Sequence, residues 1–85
     1  MQLTNVYRML LRPMRETPEL IEHRHCLGVV VNVGNVHWVA IVRYKGNLWW
    51  LDSYGYPKIV SVDTYRVLLV QHPMSFPVVK DEFEE

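Results

Sequence analysis

The sequence predicts an α+β fold in which helices pack on a mostly antiparallel sheet. Three observations lead there. Residues 27–33, Leu27-Gly28-Val29-Val30-Val31-Asn32-Val33, form a dense β-branched run of the kind that suits a buried strand. Two further apolar runs, about 36–44 and 47–52, are interrupted by Tyr44-Lys45-Gly46-Asn47, a hairpin signal because Gly supplies the positive φ of a tight turn. Apolar residues then recur at helical spacing over 64–71, where His72-Pro73 stops them, and Ser75 to Lys80 is extended in character. The expected layout is three consecutive antiparallel strands plus a final strand, with an N-terminal helix and a helix before the last strand packed on the sheet.

Taken in order, Val6, Tyr7, Leu10 and Leu11 have helical spacing over residues 4–12, with Thr4 as N-cap, Pro13 as stop and Arg8, Arg12 and Arg15 toward a solvated side. Pro13 to Thr17 reads as loop, and Thr17-Pro18 starts a short helical turn over Glu19 to Glu22. In His23-Arg24-His25-Cys26, an extended chain puts the two histidines on one face and the thiol on the other. That is awkward for a metal, and no second cluster completes a ligand set, so no metal or cofactor is expected. After the strand at 27–33, Asn32-Val33-Gly34-Asn35 turns the chain into the hairpin. Ser53 to Lys58 is loop, Ile59 to Val62 a short extended piece, and Asp63 caps a helix over Thr64 to Gln71 whose Val67, Leu68 and Val70 are expected to face the core. Pro77 makes the last strand an edge strand or demands a bulge. The domain division is a helical segment over 1–25, sheet and helix over 26–80, and a frayed acidic tail over 81–85.

Each hairpin strand carries a chemically capable residue at its end, His37 on the first and Asp52 on the second. Register decides whether they meet, because a one-residue slip moves a side chain to the other face. With a two-residue loop at Lys45-Gly46, or a four-residue loop on the same centre, Val39 faces Asp52 and His37 faces Tyr54. The imidazole and carboxylate are then diagonal neighbours, roughly 7–8 Å apart at the backbone. A three-residue loop would separate them. A carboxylate beside an imidazole fixes its tautomer and stabilises the imidazolium, the base-and-orienter half of a catalytic set. The plainer alternative is a strand histidine beside a turn-forming aspartate.

The second half resembles the C-terminal part of papain-like cysteine proteases, most closely the Josephin family of deubiquitinating enzymes. The resemblance lies in His37-Trp38, then Trp49-Trp50-Leu51-Asp52-Ser53 with the acid fifteen positions after the histidine. It continues through Ile59-Val60-Ser61-Val62-Asp63-Thr64-Tyr65 and Ser75-Phe76-Pro77-Val78-Val79-Lys80, covering roughly residues 28–83. It implies a papain-like C-terminal lobe, His37 as general base, Asp52 as its orienting partner, and ubiquitin or a ubiquitin-like protein as substrate, cleaved through an acyl-enzyme. In that family the nucleophilic cysteine starts a helix far upstream of the histidine, and no segment here matches it. Cys26 is the only cysteine. With a tight turn at Gly34-Asn35, His37 lies opposite about Asn32 and Cys26 is about 20 Å away along the strand. It is therefore a disfavoured nucleophile and reads as a buried core thiol. The expectation is an enzyme half inactive alone: a fragment of a longer enzyme, an inactive remnant that keeps a binding surface, or one part of a split enzyme whose N-terminal lobe a separate polypeptide supplies. The alternative is a non-catalytic protein- or peptide-binding module on the same sheet, with Trp38, Trp49, Trp50, Tyr54 and Tyr56 as contacts.

Composition sets the outer bounds. Eighty-five residues, 49% hydrophobic and 21% charged, suit one folded domain with a modest core. A net charge of zero gives no electrostatic case for nucleic acid, although the basic residues concentrate before residue 46. No apolar run approaches a membrane span, no secretory leader pattern opens the chain, and one cysteine suits a reducing compartment, so an intracellular, cytoplasmic or nuclear location is expected.

Overall fold

The computed structural model describes residues 6–84 and has the α+β architecture expected, with one α-helix laid against a six-stranded antiparallel sheet. The strands are β1 (Tyr7–Met9), β2 (Cys26–Val33), β3 (His37–Tyr44), β4 (Asn47–Leu51), β5 (Lys58–Val60) and β6 (Ser75–Lys80); the helix α1 spans Val62–Gln71. Spatial order is β1-β6-β2-β3-β4-β5.

The β3–β4 hairpin has the two-residue loop. Lys45 and Gly46 both take positive φ, 51° and 82°, the conformation whose twist matches the flanking strands, and Tyr44 pairs with Asn47, Ile41 with Trp50. The β2–β3 loop is one residue longer than expected: Gly34, Asn35 and Val36 bridge a Val33–His37 pair, with Gly34 and Asn35 at positive φ. His37 therefore lies opposite Val33, not Asn32.

Alternation then sorts the side chains. Val29, Val31, Val39, Ile41 and Leu48 point to one face, where Tyr65 and Leu69 of α1 and Met14 and Ile21 of two 3-10 turns (Met14–Glu16, Pro18–Glu22) close the core. Tyr65 is fully buried, and its hydroxyl donates to the Pro18 carbonyl at 2.8 Å, tying helix to turn. Burial also pushes the Tyr65 hydroxyl pKa far up, so it stays a donor. Among the described residues, no helix or turn is laid across the opposite face.

Several expectations are corrected. In place of the N-terminal helix over 4–12, Tyr7–Met9 is strand β1, paired with Val78, Val79 and Lys80 of β6; the expected cap Thr4 lies outside the described residues. A nine-residue helix cut off at Pro13 falls below the length at which a helix holds itself together, whereas the free side of β6 supplies partners directly. Pro13 to Thr17 is not simply loop, since it contains the first 3-10 turn. Strand β6 is not at the edge, because β1 lies beyond it. Pro77 is tolerated because its carbonyl accepts from Leu10 N–H at 2.9 Å, one residue past the end of β1, so its missing N–H falls where that ladder has stopped. The strand ahead of α1 is Lys58–Val60, and Ser61, not Asp63, caps the helix by accepting from Thr64 N–H at 3.0 Å. The helix turns Tyr65 and Leu69 inward and leaves Val67 and Val70 exposed, with Leu68 partly buried. The tail is not frayed at Phe83, which is buried, packs edge-on against His23 with centroids 4.8 Å apart, and accepts at its carbonyl from Arg8 at 2.9 Å.

Candidate active site

His37 opens β3, Asp52 follows the last residue of β4, and the register of the hairpin brings them to one side of the sheet. His37 Nε2 and Asp52 Oδ1 are 2.8 Å apart. An ionised carboxylate only accepts, so Nε2 carries the proton in this bond and the lone pair of the neutral ring resides on Nδ1. Among the described residues, Nδ1 has no hydrogen-bond partner. The two side chains are 23% and 24% exposed, so the pair sits at the rim of the covered face, partly shielded and reachable.

Tyr54 completes the arrangement. Its backbone N–H donates to the same Asp52 Oδ1 at 2.9 Å, an Asx-type turn closing the strand, and its ring stacks on His37 at 4.6 Å between centroids and 27° between planes. One residue thus orients the carboxylate through its main chain and the imidazole through its side chain. The Tyr54 N–H, then the His37 contact, and to a smaller extent Trp50, hold the Asp52 carboxyl below the usual carboxylate range, so it is anionic at neutral pH. The hairpin register had already put Tyr54 opposite His37; what residue types alone could not show is that its main chain would grip the aspartate.

No family model, curated protein or solved structure matches this chain. The site is therefore read from its own geometry.

Cys26 lies at the far end of β2, seven residues before the Val33 that opposes His37, about 23 Å along the strand. It is buried, donates weakly to the Gly28 carbonyl, and burial pushes its thiol pKa up, the reverse of what a nucleophile needs. His23 and His25 remain neighbours, with His25 N–H donating to His23 Nδ1 at 3.0 Å and rings 5.6 Å apart. Among the described residues no three His, Cys, Asp or Glu side chains group as metal ligands would. No helix there is long and apolar enough to cross a membrane.

Proposed function

We propose that this chain is the His/Asp half of a cysteine-type deubiquitinase with a papain-like C-terminal lobe of the Josephin kind, and that its partner is ubiquitin or a ubiquitin-like protein. The supporting observation is the bond from His37 Nε2 to Asp52, which directs the basic Nδ1 away from the carboxylate. In the reaction, Nδ1 takes the proton of a thiol, and the resulting thiolate attacks the carbonyl of a C-terminal amide or isopeptide. The tetrahedral intermediate collapses as the imidazolium returns that proton to the leaving amine, leaving a thioester. Nδ1 then takes a proton from water, the hydroxide adds to the thioester, and the thiol leaves reprotonated. Asp52 stabilises each imidazolium without itself taking the proton.

The thiol is not Cys26, which is buried at the opposite end of β2. It comes from a lobe carried elsewhere, so the chain alone is inactive. A single cysteine and a thiol-dependent reaction suit a reducing compartment, the cytoplasm or nucleus. A second reading, a non-catalytic protein-binding module, is favoured by the bare apolar face of the sheet.

The test pairs two measurements on the purified chain. A ubiquitin probe with a thiol-reactive C-terminus is expected to leave it unlabelled, while unmodified ubiquitin is expected to shift NMR resonances of His37 and residues 52–57. Labelling at Cys26, or the absence of any shift in that loop, would overturn the proposal.

A further inference from the structure

We infer that the bare face of the sheet is a self-association surface on which a second copy of this chain packs face to face. The inference rests on the binding-module reading and is independent of the His37–Asp52 chemistry. Strand pairing sets one continuous apolar row across all six strands, Met9, Val78, Gly28, Val42, Trp49 and Ile59. A second row runs Phe76, Val30, Ala40 and Leu51. Trp38 and Ile59 on this face are 51% and 57% exposed.

Charge, size and relief favour a second copy. Among the strand residues that register assigns to this face, one is charged, Lys80, paired with Tyr7 at a corner. Two copies therefore meet without like-charge repulsion across the centre, and a net charge of zero adds no long-range barrier. Six strands about 4.8 Å apart, the four inner ones five or more residues long and the two edges three, give a face on the order of 500 Å². Two such faces bury on the order of 1,000 Å², the size at which specific association begins. The relief is uneven, with a hollow of about 240 Å³ floored by Gly28, Val30 and Ala40, and the half-exposed Trp38 two residues along β3 from Ala40. A two-fold arrangement lets the projecting ring of each copy meet the hollow of the other, as interdigitating sheets do at about 10 Å separation. Edge-to-edge growth is the poorer route, because β1 and β5, the two edges, are three residues each.

Sedimentation equilibrium on the chain from ~1 µM to ~500 µM, the range in which an interface this small dissociates, tests the assignment. The wild type is expected to pass from one to two chain masses, with tryptophan emission moving to shorter wavelength as Trp38 is covered. Leu27→Glu and Ile59→Lys put charges on exposed positions of this face and are expected to raise the dissociation constant at least ~10-fold with an unchanged circular dichroism spectrum. A wild type that stays monomeric throughout, even one that captures a different protein on this face, overturns the inference. So does a dimer undiminished in both folded variants. A monomer that still binds ubiquitin at the 52–57 loop would leave the catalytic proposal standing and remove this one alone.

Discussion

Asp52 and Tyr54 show how little the site owes to charge alone. The strongest influence on the carboxylate is a neutral backbone donor, the Tyr54 N–H, ahead of the imidazole. Tyr54→Pro removes that donor, whereas Tyr54→Ala keeps it and removes only the stacked ring. NMR titration of the Asp52 carboxyl carbon should therefore show its pKa rising toward the ordinary value in the proline variant, and rising less in the alanine variant. The effect on stability follows from the sign. Because the folded-state pKa is depressed, the contribution of Asp52 is complete above the unfolded value of about 3.9 and is lost as pH falls through the folded pKa. Asp52→Asn should flatten the acid limb of the stability curve below about pH 4, measured as urea midpoints against pH. A steep limb unchanged by the substitution would mean other carboxylates dominate it.

At the level of elements, turns and caps carry the positional information. Gly46 adopts φ +82° with open space around its missing side chain, so Gly46→Ala costs only the left-handed conformation, about 1 kcal/mol. Gly28 is different: a Cβ there would lie 2.4 Å from the Ile41 carbonyl oxygen, and backbone cannot move aside cheaply. Gly28→Ala should cost about 3 kcal/mol or more, and chemical denaturation of the two variants tests the order. Helix capping gives a sharper contrast, since Ser61 Oγ receives the Thr64 N–H. Ser61→Ala should lose about 1 kcal/mol, while Asp63→Ala, inside the first turn, loses only the smaller helix-dipole contribution. Equal losses would show that both residues share the cap. The choice of Ser61 over Asp63 was not legible locally, because either residue can cap.

Across the whole molecule, strand β1 and the segment after β6 are tied together. Phe83 is buried against His23, and its carbonyl is held by Arg8 of β1, so the acidic tail is anchored at a point its composition does not advertise. Phe83→Ala should destabilise the fold by about 2–3 kcal/mol and lower Tm by roughly 10 °C or more in a chain this size; a change near zero would mean the tail contributes no packing. The amino-acid sequence by itself determined that a hairpin turns at Lys45-Gly46, and of the loop lengths it allowed the structure takes the two-residue one, with positive φ at both positions, which stacks His37 on Tyr54 and brings it to Asp52. It also determined the bounds of β6 and the end of α1, where proline and alternation leave few options. Only the tertiary structure decided that residues 7–9 are strand, that β6 lies inside the sheet, and that Phe83 docks. The physical reason is range: turns and capping are settled by neighbours in sequence, whereas a short segment with weak local preference takes whatever backbone or apolar surface a distant strand leaves unsatisfied.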